Sequence, residues 1–360
     1  MQRDTALLSR WAMAVAGLTP CLAACSNNTF TNIAAEEYVE ASLVADTAGF
    51  GAGAVDTNLK NPWGMAFGPT GILWVSNNHS GTSTLYDTTG AKRSLVVAIP
   101  SSVSATGGAP TGIVYNPTTD FVIPGAGKAL FILAGEDGVI SAWNASTGNA
   151  RLVADRSANA AVYKGLALAA NGSANFLFAT NFKQNGVDVF DATFTFVKSF
   201  ADPTVPAGYA PFGIQAVGSE LYVTFAKQLA PDNQDDAPGL GNGYVDIFNP
   251  DGTLAKRFAS QGNLNSPWAV AVAPTGFGAF SHDLLIGNFG DGRIGAYDSE
   301  YRHLHRLRAR WRWQPNRDQR VVGARPRAGR GLLGRILHLG AGRGGPRPAR
   351  HAQGEVAERT

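Results

Sequence analysis

The sequence predicts an all-β fold, a β-propeller of about six four-stranded blades with the last blade disrupted or missing. Three observations predict it. A phrase recurs with a period of about 50 residues, each period holds four strand-like runs, and helix-forming stretches are few. The 360-residue chain is 44% hydrophobic and 16% charged, with 43 Gly. That apolar share excludes wholesale disorder. The glycine content, with few Leu-, Glu- and Lys-rich stretches, argues against a helical bundle.

The recurring phrase opens each unit: Asn61-Pro-Trp-Gly-Met-Ala-Phe67, Ala109-Pro-Thr-Gly-Ile-Val-Tyr115, Tyr163-Lys-Gly-Leu-Ala-Leu168, Ala210-Pro-Phe-Gly-Ile-Gln-Ala216 and Ser266-Pro-Trp-Ala-Val-Ala-Val272. Trp63, Thr111, Lys164, Phe212 and Trp268 occupy the same place in it, at steps of 48, 53, 48 and 56 residues. A β-rich run follows each phrase, as in Ile72-Leu-Trp-Val-Ser76 and Glu220-Leu-Tyr-Val-Thr-Phe225. A third run ends in an aromatic and an Asp or Asn, as in Gly186-Val-Asp-Val-Phe-Asp191. Turn pairs such as Thr89-Gly90 and Asp251-Gly252 then lead into a fourth run. Each blade buries its apolar faces on its neighbours, and the ring shields most edges. Gly64, Gly112, Gly165 and Gly213 suit innermost strands crowded against the axis. A β-sandwich does not repeat a four-strand phrase. Five phrases are countable. The strand-like run Tyr38–Asp46 predicts an outer strand that closes the last blade by joining the two chain ends.

The chain divides into residues 1–25, a signal peptide of lipoprotein type; 26–37, a polar tether; 38–300, the propeller; and 301–360, an Arg-rich irregular tail. Arg3 and Arg10, the apolar run Trp11–Leu18 and the small residues before Cys25 have the order of a secretory signal. The run is too short to span a membrane, which takes about 20 apolar residues. Leu22-Ala-Ala-Cys25 resembles the bacterial lipobox, which implies lipidation of Cys25 and a location in the periplasm, the outer membrane or the cell surface. The other cysteine, Cys21, lies in the same signal, so the mature body holds no disulfide.

Charge is divided unevenly. Residues 1–300 carry a net −9, and residues 301–360 carry +12, with 15 Arg and no Lys. The basic balance belongs to the tail, so no nucleic-acid partner is expected for the acidic body. The tail has three readings: a basic nucleic-acid- or lipid-binding arm, a divergent sixth blade, or out-of-frame translation of a GC-rich gene. Arg without Lys favours the last, since Lys also serves as a phosphate contact in selected basic patches.

Asp56-x-Asn58-Leu59-x-Asn61-Pro62-Trp63-Gly64 with Leu73–Asn78, the insertion Ala226–Asp246, and Ser266-Pro-Trp268 with Leu285–Gly292 resemble a bacterial family of exported six-bladed propellers. The likeness covers residues 38–298 and implies fold and export rather than an activity. More loosely, the repeats resemble NHL and gluconolactonase-type propellers. The tail departs from that pattern after Tyr297-Asp298.

No Gly-x-Ser-x-Gly elbow, P-loop, His-Glu-x-x-His or Cys-x-x-Cys occurs in the sequence. The gluconolactonase resemblance implies Ca²⁺ held at the channel mouth by Glu136, Asn181 and Asn288, oxygen ligands suited to a hard cation. The competing reading is that Asn77, Asn181 and Asn288 cap turns with their amides. Asp232, Asp235 and Asp236 form a second acidic loop, without the Gly and terminal Glu of an EF-hand. His79 at a strand exit reads as a solvated loop residue, and Trp63, Phe212 and Trp268 read as channel packing rather than a carbohydrate platform. The function expected is a lipid-anchored, monomeric scaffold that binds a small molecule or an envelope protein. The alternative is a Ca²⁺-dependent lactonase-type hydrolase. Quinone-dependent sugar oxidation finds little support, because it needs a His beside an Arg pair.

Overall fold

Short strands joined by tight turns pair with their sequence neighbours, because each buried backbone N–H and C=O must find a partner. The computed structural model of the chain describes residues 38–298 and the strands 304–308 and 320–326. Five four-stranded antiparallel sheets follow one another along it. From the inside out, blade 1 is Pro62–Phe67, Leu73–Asn77, Thr82–Tyr86 and Lys92–Ala98. Blade 2 is Pro110–Tyr115, Phe131–Gly135, Val139–Trp143 and Arg151–Asp155. Blade 3 is Tyr163–Asn171, Ala174–Asn181, Gly186–Phe190 and Phe196–Phe200. Blade 4 is Tyr209–Val217, Glu220–Lys227, Gly243–Phe248 and Leu254–Ser260. Blade 5 is Pro267–Val272, Leu284–Asn288, Ile294–Tyr297 and Leu304–Arg308.

The expectation of about six blades is corrected to five. A sixth sheet has only three strands: Tyr38–Ala45 pairs antiparallel with Arg320–Pro326 and parallel with Ala54–Val55. The physical reason lies after Asp298, where the phrase that opens the five innermost strands does not recur. The run at Tyr38 does meet the far end of the chain, as its pattern suggests, but as the middle strand of this small sheet rather than as the outer strand of the last blade. Two strands, Leu304–Arg308 and Arg320–Pro326, come from the segment that reads as irregular in the sequence. The signal and tether, with Cys21 and Cys25, lie outside the described residues.

Side chains alternate across a strand, so each blade feeds two interfaces. In blade 2, Phe131 and Leu133 pack with Trp74, Leu85 and Val97 of blade 1. Ile132 and Ala134 point the other way, to Tyr163, Leu177 and Ala179 of blade 3. In blade 3, Phe178 turns from Leu177 to meet Leu221, Val223 and Phe225 of blade 4. Val245 and Ile247 then meet Leu284 and Ile286 of blade 5. The far face of blade 5 is covered by its own loop, through Phe277 and Phe280. Outer strands such as Phe196–Phe200 are half-buried or exposed.

The innermost strands approach backbone to backbone. A Cβ built on Gly64 would lie 2.4 Å from the Thr111 carbonyl oxygen, and one on Gly112 would lie 2.4 Å from the Leu166 nitrogen. A Cβ on Gly213 would lie 1.8 Å from the Trp268 carbonyl oxygen. Each glycine therefore holds the place of a missing side chain against the next blade. Hydroxyls stitch the same seams. Thr111 Oγ1 donates to the Tyr163 carbonyl (2.8 Å), and Thr180 Oγ1 accepts from Gly165 N (2.7 Å) while donating to the Phe212 carbonyl (2.8 Å). Farther out, Arg257 of blade 4 pairs with Asp246 of the same blade and with Asp202 in the connection from blade 3.

Gly213→Ala is expected to cost about 3 kcal/mol, at the upper end of overpacking, because two backbones must separate. Gly53→Ala is the control: its nearest atom is the Leu43 carbonyl oxygen at 3.5 Å, and a change within about 0.5 kcal/mol is expected. Urea unfolding of both variants checks this, and equal losses would refute the close-approach argument.

Candidate functional site

The start of each innermost strand pairs with the end of the second strand, as in Pro62 with Asn77, Tyr163 with Asn181 and Pro267 with Asn288. All five blades therefore bring these two termini to one end of the ring. There the equivalent residues Trp63, Thr111, Lys164, Phe212 and Trp268 surround the axis. Four blades contribute to an apolar cluster of Trp63, Phe182, Phe212, Phe289 and Trp268. Their rings meet at centroid distances of 4.8 Å for Trp63–Phe289, 5.6 Å for Trp63–Trp268 and 5.1 Å for Phe182–Phe212. These aromatics are channel packing, as their pattern predicts.

Lys164 sits above this cluster with its side chain 1% exposed. Its Nζ lies 5.2 Å from the Trp63 ring centroid and 5.9 Å from that of Phe182. An ammonium over a desolvated aromatic face gains about 2 kcal/mol. It donates to the Glu136 carboxylate and stands 3.5 Å from Asp235 Oδ1. Asn78 Nδ2 donates to the other Glu136 oxygen (2.9 Å), and Asn61 Nδ2 donates to Asn78 Oδ1 (3.2 Å). Trp268 Nε1 donates to the Lys164 carbonyl (3.1 Å). Blades 2, 3 and 4 and the entry to blade 1 thus converge on one ammonium.

Burial raises a carboxyl and lowers an ammonium, because it penalises the charged form. For Glu136 that penalty is outweighed by the Lys164 charge and hydrogen bond and by the Asn78 amide, which hold the carboxyl below its usual range. For Lys164 it is outweighed by Glu136, then Asp235 and Asp236, which hold the ammonium above its usual range. The exposed His79 adds a smaller favourable charge beside Glu136.

Each sequence-derived candidate has a definite place. Glu136 is at the mouth, paired to Lys164. Asn181 Oδ1 accepts from Val162 N (3.2 Å) and Gln184 N (3.3 Å), while its Nδ2 donates to Asp188 (3.1 Å). Asn288 Oδ1 accepts from Asn265 N (3.1 Å), and its Nδ2 donates to the Asn263 carbonyl (2.8 Å). Asn77 Nδ2 donates to Thr84 Oγ1 (2.9 Å). The Asn amides organise loops, and the oxygens of Asn181 and Asn288 face backbone N–H groups. Asp235 reaches the mouth, Asp232 is exposed and Asp236 is buried. Among the described residues, no group of three or more His, Cys, Asp or Glu is placed to hold a metal ion.

Lys164 is the residue that sequence reasoning passed over. Its signal is present: one cation stands in a repeat position otherwise filled by Trp, Thr, Phe and Trp.

The pair is unequally buried, with Glu136 26% exposed and Lys164 1%. Glu136→Gln strands the deeper charge and is expected to cost about 3 kcal/mol, whereas Lys164→Met leaves a carboxylate that water still reaches and costs about 1–2 kcal/mol. The double variant is expected to recover part of the loss. Urea unfolding measures all three, and a Lys164→Met loss larger than that of Glu136→Gln would contradict the assignment.

The chain is 33% identical over 271 residues to "Uncharacterized protein R648" of Acanthamoeba polyphaga mimivirus, covering 70% of this chain and 65% of that protein. It is 31% identical over 262 residues to "Uncharacterized protein L690" of the same virus, covering 69% of this chain and 68% of that protein. The first of these is spanned over less than two thirds of its length. These relatives are viral, which corrects the bacterial kinship implied by the resemblance. No family model matches the chain. Among solved structures, a virginiamycin B lyase from Staphylococcus aureus is similar, with a TM-score of 0.46 and 16% identity over 76% of this chain and 88% of that one. A likeness of that degree says nothing of activity.

Proposed function

The chain belongs to the family of the mimivirus protein L690, and from that premise we propose that it is a binding propeller, an interaction scaffold whose ligand-facing end is the mouth around Lys164. One observation carries the reading. Lys164, buried at the mouth, and its half-buried partner Glu136 both stay charged, the ammonium held above its usual range and the carboxyl below it. General acid–base catalysis needs a group held near the working pH. A pair that neutralises itself fixes geometry and charge without moving a proton.

The Ca²⁺-dependent lactonase reading stands second. It needs Glu136 as a cation ligand, and the Lys164 ammonium already fills that role. It also needs the Asn181 and Asn288 oxygens, which accept from backbone N–H groups. Metal-bound water would supply the nucleophile in that scheme. The assay is hydrolysis of γ- and δ-lactones by the full chain, with calcium and with EDTA. No turnover above buffer is expected in either case, and chelator-sensitive hydrolysis would sink the proposal.

Export and membrane anchoring through Cys25 are part of the proposal. Its support is the lipobox-like Leu22-Ala-Ala-Cys25. Two acyl chains give stable attachment, where one gives a reversible one. In a bacterial host, a clickable palmitate analogue is expected to label the full chain and not the Cys25→Ser variant. Equal labelling of both would exclude lipidation there.

A further inference from the structure

The connection between the second and third strands of blade 4 is far longer than a hairpin needs. It runs over residues 228–242, where blade 3 makes the same connection with residues 182–185. The insertion carries Asp232, Asp235 and Asp236 and no Lys, Arg or His.

It is also tied down along its length. Gln228 Nε2 donates to the Phe182 carbonyl (2.7 Å), and Leu229 N donates to the Asp235 carbonyl (2.8 Å). Ala237 N donates to the Lys227 carbonyl (2.7 Å), Gly239 N to Asn265 Oδ1 (2.7 Å) and Gly241 N to the Leu264 carbonyl (2.8 Å). Asp235 reaches Lys164 beneath it. Yet this ordered loop leaves Leu229 52% and Leu240 68% exposed. Val103, 93% exposed, stands at the same end on the loop between blades 1 and 2. That loop is held by Ser102 N donating to Asp137 Oδ2 (3.1 Å), one residue from Glu136.

Large apolar side chains held out from a pre-ordered loop mark a contact surface, since rigidity lowers the entropy lost on docking. The charge beside them selects the partner. Asp232 and Asp235 are exposed carboxylates, and the only cation described in contact with either, Lys164, is buried. Complementary charge at the rim steers encounter and excludes acidic competitors.

We infer that this end of the ring docks a partner protein through a basic, leucine-bearing amphipathic segment. The segment's cations meet Asp232 and Asp235, and its apolar face covers Leu229 and Leu240 of the same loop. The inference rests on the binding-propeller reading and names the partner's chemistry. Fluorescence anisotropy of the full chain tests it. The probe is a labelled synthetic amphipathic helix of Lys and Leu, and the control is the same peptide with Glu for Lys. Binding of the Lys peptide alone is expected, weakened by roughly tenfold or more in L229S/L240S and again in D232N/D235N. L229S/L240S changes exposed residues, whereas D235N also removes a partner of Lys164, so D232N alone is measured beside the double variant and unfolding midpoints establish that all of them fold. No binding of the Lys peptide, or equal binding by the variants, would overturn the inference. So would partition onto phosphatidylcholine vesicles that is lost in L229S/L240S, since it assigns the leucines to a lipid surface. The lactone assay judges the underlying reading separately. Turnover there refutes the binding-only function, and failed peptide binding without turnover refutes only the docking surface.

Discussion

The closest constraint in the molecule is the distance between neighbouring innermost strands. Backbone meets backbone where Gly213 faces Trp268 and where Gly64 faces Thr111. No side chain fits at those seams. The hydroxyls of Thr111 and Thr180 can reach across only because the seams are that narrow. Farther from the axis the strands diverge, and the gap fills with larger side chains such as Phe178, Phe225 and Trp74. The wedge shape of each blade therefore follows from a gradient of side-chain size, from glycine at the axis to aromatics midway along the sheet.

That geometry creates the mouth. Once five innermost strands converge, the residue at the place of Trp63, Thr111, Lys164, Phe212 and Trp268 is forced against the axis, just before a glycine in four strands and before Ala269 in the fifth. Two of these are Trp and one is Phe: Trp63 meets Phe212 and Trp268 edge to face, and Phe182 and Phe289 pack against them. The fourth is Thr111. The fifth is Lys164, whose charge has to be met where water does not reach. Glu136 from blade 2 and Asp235 from blade 4 meet it. The charged cluster is in this sense a consequence of placing one cation in an aromatic ring of positions.

Much of this was legible in the sequence, for physical reasons. The period, the strand order within each blade and the crowding at Gly64, Gly112, Gly165 and Gly213 all follow from a local phrase that each blade must satisfy by itself. Lys164 was visible as an odd member of that phrase. Its partners were not, because Glu136 and Asp235 are 28 and 71 residues away and only the packing of blade on blade brings them together. Asn181 and Asn288 end second strands, and the direction each amide faces is set by loop contacts that the repeated phrase does not encode. Their oxygens turn to backbone N–H groups rather than to the channel. The count of blades misled for a different reason. A sixth unit depends on residues after Asp298, where alternation and the glycine phrase lapse, and pairing there joins Tyr38–Ala45 to Arg320–Pro326 in a smaller sheet.

Hydrogen–deuterium exchange across the full chain tests the central claim most directly, because it reads each seam in the same experiment. Backbone amides of Gly165 and Gly213, which donate to Thr180 and Thr224, should exchange slowly, at a common rate set by opening of the whole ring. Amides of outer strands such as Phe196–Phe200 should exchange faster. Independent rates for the innermost strands of different blades, or inner strands exchanging as fast as outer ones, would contradict the claim that close backbone contact around the axis holds the fold together.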